Sequence, residues 1–340
     1  MVNIVVLTGG VGGAKFLLGV KSALGWSPFG DRPASARDHV AAVVNTADDI
    51  RLNGLQICPD LDSCMYTLSG ASDLARGWGQ SDETWVVSTE LAAYGADAPW
   101  FSLGDKDIAT HIVRTRMLAE GAPLSEVTAA LTERRRTGVQ LLPMTDGRVA
   151  TVVDVDEPAL AIGTAPARIS LHFQEWWVRY RATLPPHRIR VDGAEDSRPA
   201  PEVLEAIEAA DLILIAPSNP VVSIGTILSV PGIRSALQAA SAPIIGVSPI
   251  IGGAPLRGYA DVCLAAINVA CSAEGVGRLY GARAEGGILD GYLVAPGETF
   301  KLPGVRVVEA PLLMTDPAAT AEMVRQCIEL GALMDPRAGK

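Results

Sequence analysis

The sequence predicts one α/β domain: a Rossmann-like, mostly parallel sheet with helices on both faces, carrying a helical and antiparallel-strand insertion in its middle. Three observations predict it. Short apolar runs alternate with segments of helical periodicity near both ends of the chain. Runs such as Leu212–Ala216 and Ile244–Val247 are apolar without alternation, as strands buried on both faces must be. Several of these runs end in loops rich in Gly, Ser, Asn or Asp, where open α/β sheets bind ligands.

The elements follow in order. Val2–Thr8 reads as a strand, Gly9–Gly13 as a turn, and Ala14–Leu24 as a helix with Phe16, Leu17, Val20 and Leu24 on one face. Ser27–Asp38 is a loop and Val40–Val44 a second buried strand. Helices are then expected from Asp60 or Asp62 through Leu68, from Asp82 through Leu91, from Asp105 or Asp107 through Leu118, and from Ser125 through Arg135. Between Val139 and Val191 the period shifts towards two. Leu141–Met144, Val149–Val155, Arg168–Val178 and His187–Val191 read as strands of an antiparallel excursion. Alternation resumes with helices over Glu202–Ala210, Ile233–Ala239, Ala260–Ile267, Ala273–Tyr280 and Ala318–Leu330, and late strands over Ile288–Val294 and Val305–Val308. Residues 1–340 are expected to form one domain, with 60–190 as a lid or acceptor-site region.

Composition excludes several classes. The 340 residues are 49% apolar and 19% charged, against disorder. The net charge of −10, with no basic stripe, argues against nucleic-acid binding. Mean hydropathy is +0.26, yet no apolar run approaches the ~18–20 residues of a membrane span. The first residues lack a basic segment and a cleavage pattern, and five scattered cysteines form no CxxC pair. These features lead us to expect a cytoplasmic protein with reduced thiols and no structural zinc.

The loops carry the candidate chemistry. Gly9, Gly10, Gly12 and Gly13, with Lys15, sit between the first strand and first helix, where backbone N–H groups and a helix N-terminus favour an anion. The segment is neither a dinucleotide fingerprint nor a Walker A loop, because Lys15 and Phe16 stand at the wrong positions. Asp48-Asp49 and Asp60/Asp62 place four carboxylates on two neighbouring loops, suited to a hard cation such as Mg²⁺ together with phosphate oxygens. Ser218-Asn219 and Ser248 with Gly252 follow two further buried strands and suit the rest of a nucleotide. Asp105, Asp107 and His111 open a helix, and Trp176-Trp177 would face opposite sides of a strand. No GxSxG elbow, HExxH motif or cysteine–histidine nucleophile is present, so the chemistry must rest on metal and electrostatic positioning.

The ordered set GGVGGAK, NTADD, ICPDLDSCMYTL, RGWG, LGDKDIATH, HFQEWWVRYR, APSNPVVSIG, SPIIGG and PLLMTDP resembles the CofD/FbiA family across nearly the whole chain. These are the 2-phospho-L-lactate transferases of deazaflavin coenzyme F-420 biosynthesis, and the HFQEWWVRYR and PLLMTDP segments look most like the actinobacterial branch. The resemblance implies a Mg²⁺-dependent transfer of a phospholactyl or phosphoenolpyruvyl group from a guanosine-diphospho conjugate to the hydroxyl of the deazaflavin Fo, releasing GMP. It implies a metal on Asp48 and Asp60, catalysis by Asp48 and Asp62, acceptor contacts from Asp62, Asp105 and Trp78, and a homodimer. Lys106 stands where many members have Arg, Ser102 where some have a basic residue, and Ala47 where Gly is frequent. Two other readings compete. YvcK-like regulators share the glycine and SNP-type loops and bind nucleotide sugars. An NAD(P)-dependent oxidoreductase would need a third glycine at Lys15 and an acid nearer than Asp48.

Overall fold

A computed structural model describes residues 1–73, 75–96, 100–157 and 167–334. Seven strands form the main sheet: β1 (Asn3–Thr8), β2 (His39–Val44), β3 (Gln140–Pro143), β4 (Leu212–Ile215), β5 (Ile244–Val247), β6 (Gly291–Val294) and β7 (Arg306–Glu309). All pair in parallel, in the spatial order β3-β2-β1-β4-β5-β6-β7. This is the doubly wound arrangement: the order reverses between β1 and β4, opening a crevice at the carboxyl edge there.

Successive residues of β1 serve opposite faces. Ile4 and Val6 pack with α1 (Gly10–Ala23), α2 (Pro59–Leu68), α5 (Leu124–Arg135) and α11 (Pro317–Met334) through Phe16, Met65, Val127 and Val324. Val5 and Leu7 pack with α6 (Pro201–Glu208), α7 (Ile224–Ser229), α8 (Ile233–Ala239), α9 (Ala260–Ala266) and α10 (Ala273–Tyr280). Between α2 and α5 in the chain come α3 (Val86–Ala93) and α4 (Asp105–Ala119). A separate antiparallel sheet joins Ala150–Asp156 to both Arg168–His172 and Pro186–Asp192. Among the described residues, no helix is long and apolar enough to cross a membrane.

Several expectations need correction. Gln140–Pro143 does not belong to the antiparallel excursion: it is the outer strand of the main sheet, with Leu141 and Leu142 buried on opposite faces. The strand expected over Arg168–Val178 ends at His172, and Glu175–Arg179 forms a π-helical turn. That turn puts both tryptophans on the same side, with Phe173 5.9 Å from Trp176 and 5.2 Å from Trp177 between ring centroids. Trp176 is fully buried and its Nε1 donates to the Leu184 carbonyl at 2.8 Å. A strand would have left one indole facing outward.

The starts of α1 and α3 also differ, while α4 begins where expected, and several caps come from afar. α3 begins at Val86, not Asp82, and its N–H groups at Val86 and Val87 donate to the Asp105 carboxylate (3.3 and 3.1 Å). α4 begins at Asp105, and the N–H groups of Lys106 and Asp107 donate to Glu83 (2.8 and 3.2 Å). At α5, Asp146 accepts from both the N–H and the hydroxyl of Ser125, at 2.7 and 2.9 Å. α1 starts four residues before Ala14, so the glycines are its first turn.

Lys21 is fully buried in α1, its Nζ donating to the carbonyls of Gly30 and Thr137 at 2.5 and 2.8 Å. Burial lowers its pKa to about 8, against a smaller opposing pull from Asp31. The neutral amine still has two N–H groups for these two carbonyls. The unfolded chain therefore binds this proton more tightly than the native one. The contribution of Lys21 to stability should rise by on the order of 2–3 kcal/mol between about pH 8 and pH 10.5. Urea melts of wild type and Lys21→Met across that window check it: a wild-type midpoint with the same pH slope as the variant's would exclude the effect.

Candidate functional site

The crevice at the β1/β4 switch point is closed by a hydroxyl. The Ser218 hydroxyl accepts from the Gly9 N–H (3.1 Å) and donates to the Gly9 carbonyl (2.8 Å). Gly9 cannot be larger: a Cβ there would sit 2.7 Å from Asp60 Oδ2 and 2.8 Å from Ser223 Cβ. Gly10 has φ +65, which favours glycine, and a Cβ on Gly13 would overlap the Thr8 hydroxyl. The close approach brings the first turn of α1, whose N–H groups have no partners inside the helix, to the sheet edge. Lys15 is half-buried and has no hydrogen-bond or ion-pair partner among the described residues.

Ser218, Asn219, Ser248 and Gly252 all lie at the same carboxyl edge, but their polar groups are largely engaged within the loops. Asn219 Oδ1 accepts from Val221 and Val222 N–H at 2.9 and 3.2 Å. Ser248 accepts from the Ile250 N–H (3.2 Å) and donates to the Ile250 carbonyl (2.9 Å). The Gly252 N–H donates to Glu298 at 2.7 Å. These contacts shape the loops.

Asp60 faces the glycine turn, and Asp48 is close enough to feel its charge. Asp60, in the first turn of α2, is 7% exposed, and Asp48, in the loop after β2, is 4% exposed. Burial pushes the Asp48 carboxyl well above the usual carboxylate range, and the charge of Asp60 adds to this. Burial raises Asp60 to about 6 in spite of hydrogen bonds from Asn45 and the Gly10 backbone. Asp49 is also raised by burial. One oxygen of Asp48 and one of Asp49, Oδ1 in each, are buried with no hydrogen-bond partner among the described residues. Two crowded carboxylates and an unpartnered oxygen are the chemistry that a cation resolves. Among the described residues, no three His, Cys, Asp or Glu side chains form a ready metal cage. The pair therefore fits Mg²⁺, which binds through one or two carboxylates and completes its shell with water and phosphate.

Asp62 is bound by a buried arginine. Both of its oxygens are held by the Arg114 guanidinium, Oδ2 by Nη1 at 3.1 Å and Oδ1 by Nη2. Arg114 is 2% exposed, and its Nη1 also lies 3.0 Å from His111 Nδ1. Burial holds the His111 pKa down at about 4, so the ring is neutral and Nδ1 accepts. This geometry makes Asp62 an anchor between α2 and α4. Asp105 caps α3 and also accepts from the Thr84 hydroxyl at 2.5 Å, so its carboxylate is spent on local structure. Lys106 Nζ donates to the Ser81 carbonyl at 2.7 Å. Trp78 is 43% exposed; the Arg76 guanidinium stacks over Trp78 and Trp85, 5.0 and 4.9 Å from their ring centroids.

Sequence reasoning passed over Asn45, Arg114, His172 and Glu298. His172 reaches from the antiparallel sheet to the acidic loop: Nδ1 accepts from the Gln174 N–H (3.1 Å), so Nε2 carries the proton and donates to the Asp49 carbonyl (3.1 Å). Arg114 stands three residues after His111, one helical turn, and that spacing was its available signal. A cavity of about 680 Å³ lies behind the Asn219 loop, lined by Arg188, Arg234, Thr226 and Tyr280, and contains none of the expected site residues.

Comparisons with known proteins agree with this architecture. Two curated relatives named "Phosphoenolpyruvate transferase" are 54% identical to the chain. The one from Mycobacterium sp. (strain KMS) aligns over 97% of this chain and 99% of its own. The one from Mycobacterium tuberculosis (strain H37Rv) aligns over 98% and 99%. Two crystal structures of a Bacillus halodurans protein, one described as a member of the UPF0052 family, share the fold with a TM-score of 0.57. They are 20% and 19% identical to the chain, each covering 96% of it and 99% or 100% of their own. The family model described as 2-phospho-L-lactate transferase CofD matches residues 4–302, and the chain belongs to that family.

Proposed function

We propose that the protein transfers a phosphoenolpyruvyl or 2-phospho-L-lactyl group from a guanosine-diphospho conjugate to the hydroxyl of Fo, releasing GMP. The observation that carries this reading is the buried Asp60 carboxylate against the glycine turn of α1, with the buried Asp48 coupled to it by charge. The first-turn N–H groups of α1 after Gly10 hold the diphosphate, and Lys15 adds a cation beside them. Asp48 and Asp60 would hold Mg²⁺, which supplies charge neutralisation on the diphosphate. The acceptor hydroxyl attacks the phosphorus bearing the three-carbon acid. Its O–P bond forms as the P–O bond to GMP breaks, and GMP departs with that electron pair. The hydroxyl proton passes to Asp49, whose Oδ1 has no other partner. Asp62, locked to Arg114, keeps α2 and α4 in register around the acceptor.

Purified protein incubated with Fo, Mg²⁺ and each of the two donors tests this. GMP release with a product mass of Fo plus the phospho-acid is the expected result, and the product mass with each donor decides between the saturated and unsaturated groups. Tight binding of UDP-sugars with no consumption of Fo would place the chain with the nucleotide-sugar-binding regulators and overturn the proposal.

A further inference from the structure

Asn45 ends β2 with no exposed surface, and one amide there joins three loops. Its backbone N–H continues the ladder to the Thr8 carbonyl at 3.1 Å. Its Oδ1 accepts from the Ala47 N–H at 2.9 Å, and the Thr226 hydroxyl lies 2.7 Å from the same oxygen. A backbone N–H can only donate, so this contact settles which amide atom is oxygen. The other atom, Nδ2, therefore donates: to Asp60 Oδ2 at 3.0 Å and to the Val222 carbonyl at 3.3 Å. Three of the four hydrogen-bonding positions of the amide are filled, and the fourth faces the Thr226 hydroxyl, which also lies 2.5 Å from the Ser223 carbonyl.

The partners are informative. Ala47 is in the loop carrying Asp48, Asp60 belongs to α2 and touches the glycine turn, and Val222 follows Asn219 in the loop after β4. We infer that Asn45, backed by Thr226, is a positioning residue: one buried amide sets the rotamer of Asp60 and ties it to both the Asp48 loop and the Asn219 loop. Asp60 has one oxygen bound by Nδ2, which turns the other towards Gly10, where a Cβ would lie 3.7 Å from Oδ1. Catalytic and cation-binding groups lose rate steeply when displaced by about 1 Å, on the order of 10²-fold. Removing the amide should have that effect without touching substrate.

This inference rests on the proposed reading of Asp60, so the test separates the two. The probe is Mn²⁺, followed by its electron paramagnetic resonance signal in the full-length protein, with transferase kinetics measured beside it. In Asn45→Ala, Mn²⁺ affinity should fall about tenfold and kcat about 10²-fold, while KM for Fo stays within threefold. Thr226→Val keeps the shape and removes the hydroxyl that lies between Oδ1 and the Ser223 carbonyl, and should give a smaller loss of the same pattern. Thermal melts identify any failure to fold, in which case Thr226→Val carries the test alone. Unchanged Mn²⁺ affinity and kcat in the folded variants, or a loss confined to KM for Fo, overturns the inference. A wild-type protein that binds no Mn²⁺ overturns both this inference and the cation reading of Asp48 and Asp60.

Discussion

Asp48→Ala should lower GMP release by about 10³-fold while leaving the protein folded and no less heat-stable. The two halves of that expectation have one cause. Asp48 is 4% exposed, beside Asp60 and Asp49, with an oxygen that no protein donor meets. Removing a buried like-charged carboxylate relieves repulsion and desolvation, so the ligand-free fold loses little. The reaction loses the group that would anchor a cation on the diphosphate, an electrostatic contribution of the size that one preorganised partner supplies. Chromatographic assay of GMP at saturating Mg²⁺, paired with a thermal melt, checks it. Activity within tenfold of wild type would remove Asp48 from the metal site.

Arg114→Met should have the largest effect on the fold. The guanidinium is 2% exposed and grips both oxygens of Asp62, so its removal leaves a buried carboxylate without its cation, near Asp49 and Asp107. Breaking a buried pair on one side costs about 3–5 kcal/mol. Arg114→Lys should recover only part of this, since an ammonium cannot reproduce the two-pronged fork. The double variant Arg114→Met/Asp62→Leu should recover more than Arg114→Met alone, because it removes the stranded charge as well. Urea midpoints of the three variants decide the matter. A double variant no more stable than Arg114→Met would show that Asp62 is not what Arg114 neutralises.

The main sheet was largely legible in the sequence because its strands are buried on both faces. Leu212–Ile215 and Ile244–Val247 have no polar position, and such runs have few other uses in a soluble chain. The glycine turn and the acids after β2 were legible for the same reason: they stand where strands end. What escaped were partnerships across sequence. Asp105 caps a helix that starts 19 residues earlier, Glu83 caps one from 23 residues away, and Asp62 meets an arginine 52 residues on. No window of local periodicity contains both members. The Trp176-Trp177 pair misled because aromatic residues favour strands, whereas here Phe173, Leu171 and Val153 offer a pocket that only a helical turn lets both rings share. Ser218, Ser248 and Gly252 were placed at the right edge, but a sequence cannot show that a hydroxyl or N–H is already taken.

The Ser218–Gly9 contact spans 209 residues, and β1 waits for β4 across a similar distance. A chain leaving the ribosome can pair β1 with β2 early, yet its glycine turn has no second wall until residue 218 has emerged. Synthesis runs from the amino end at about 5–20 residues per second, so the crevice at the sheet edge is assembled late, by a long-range closure that slows folding. Truncated products ending before β4 would bear the whole acidic cluster and no crevice. Nascent chains stalled in that interval would be those most dependent on chaperones, with one edge of β1 and its apolar faces still open to other chains.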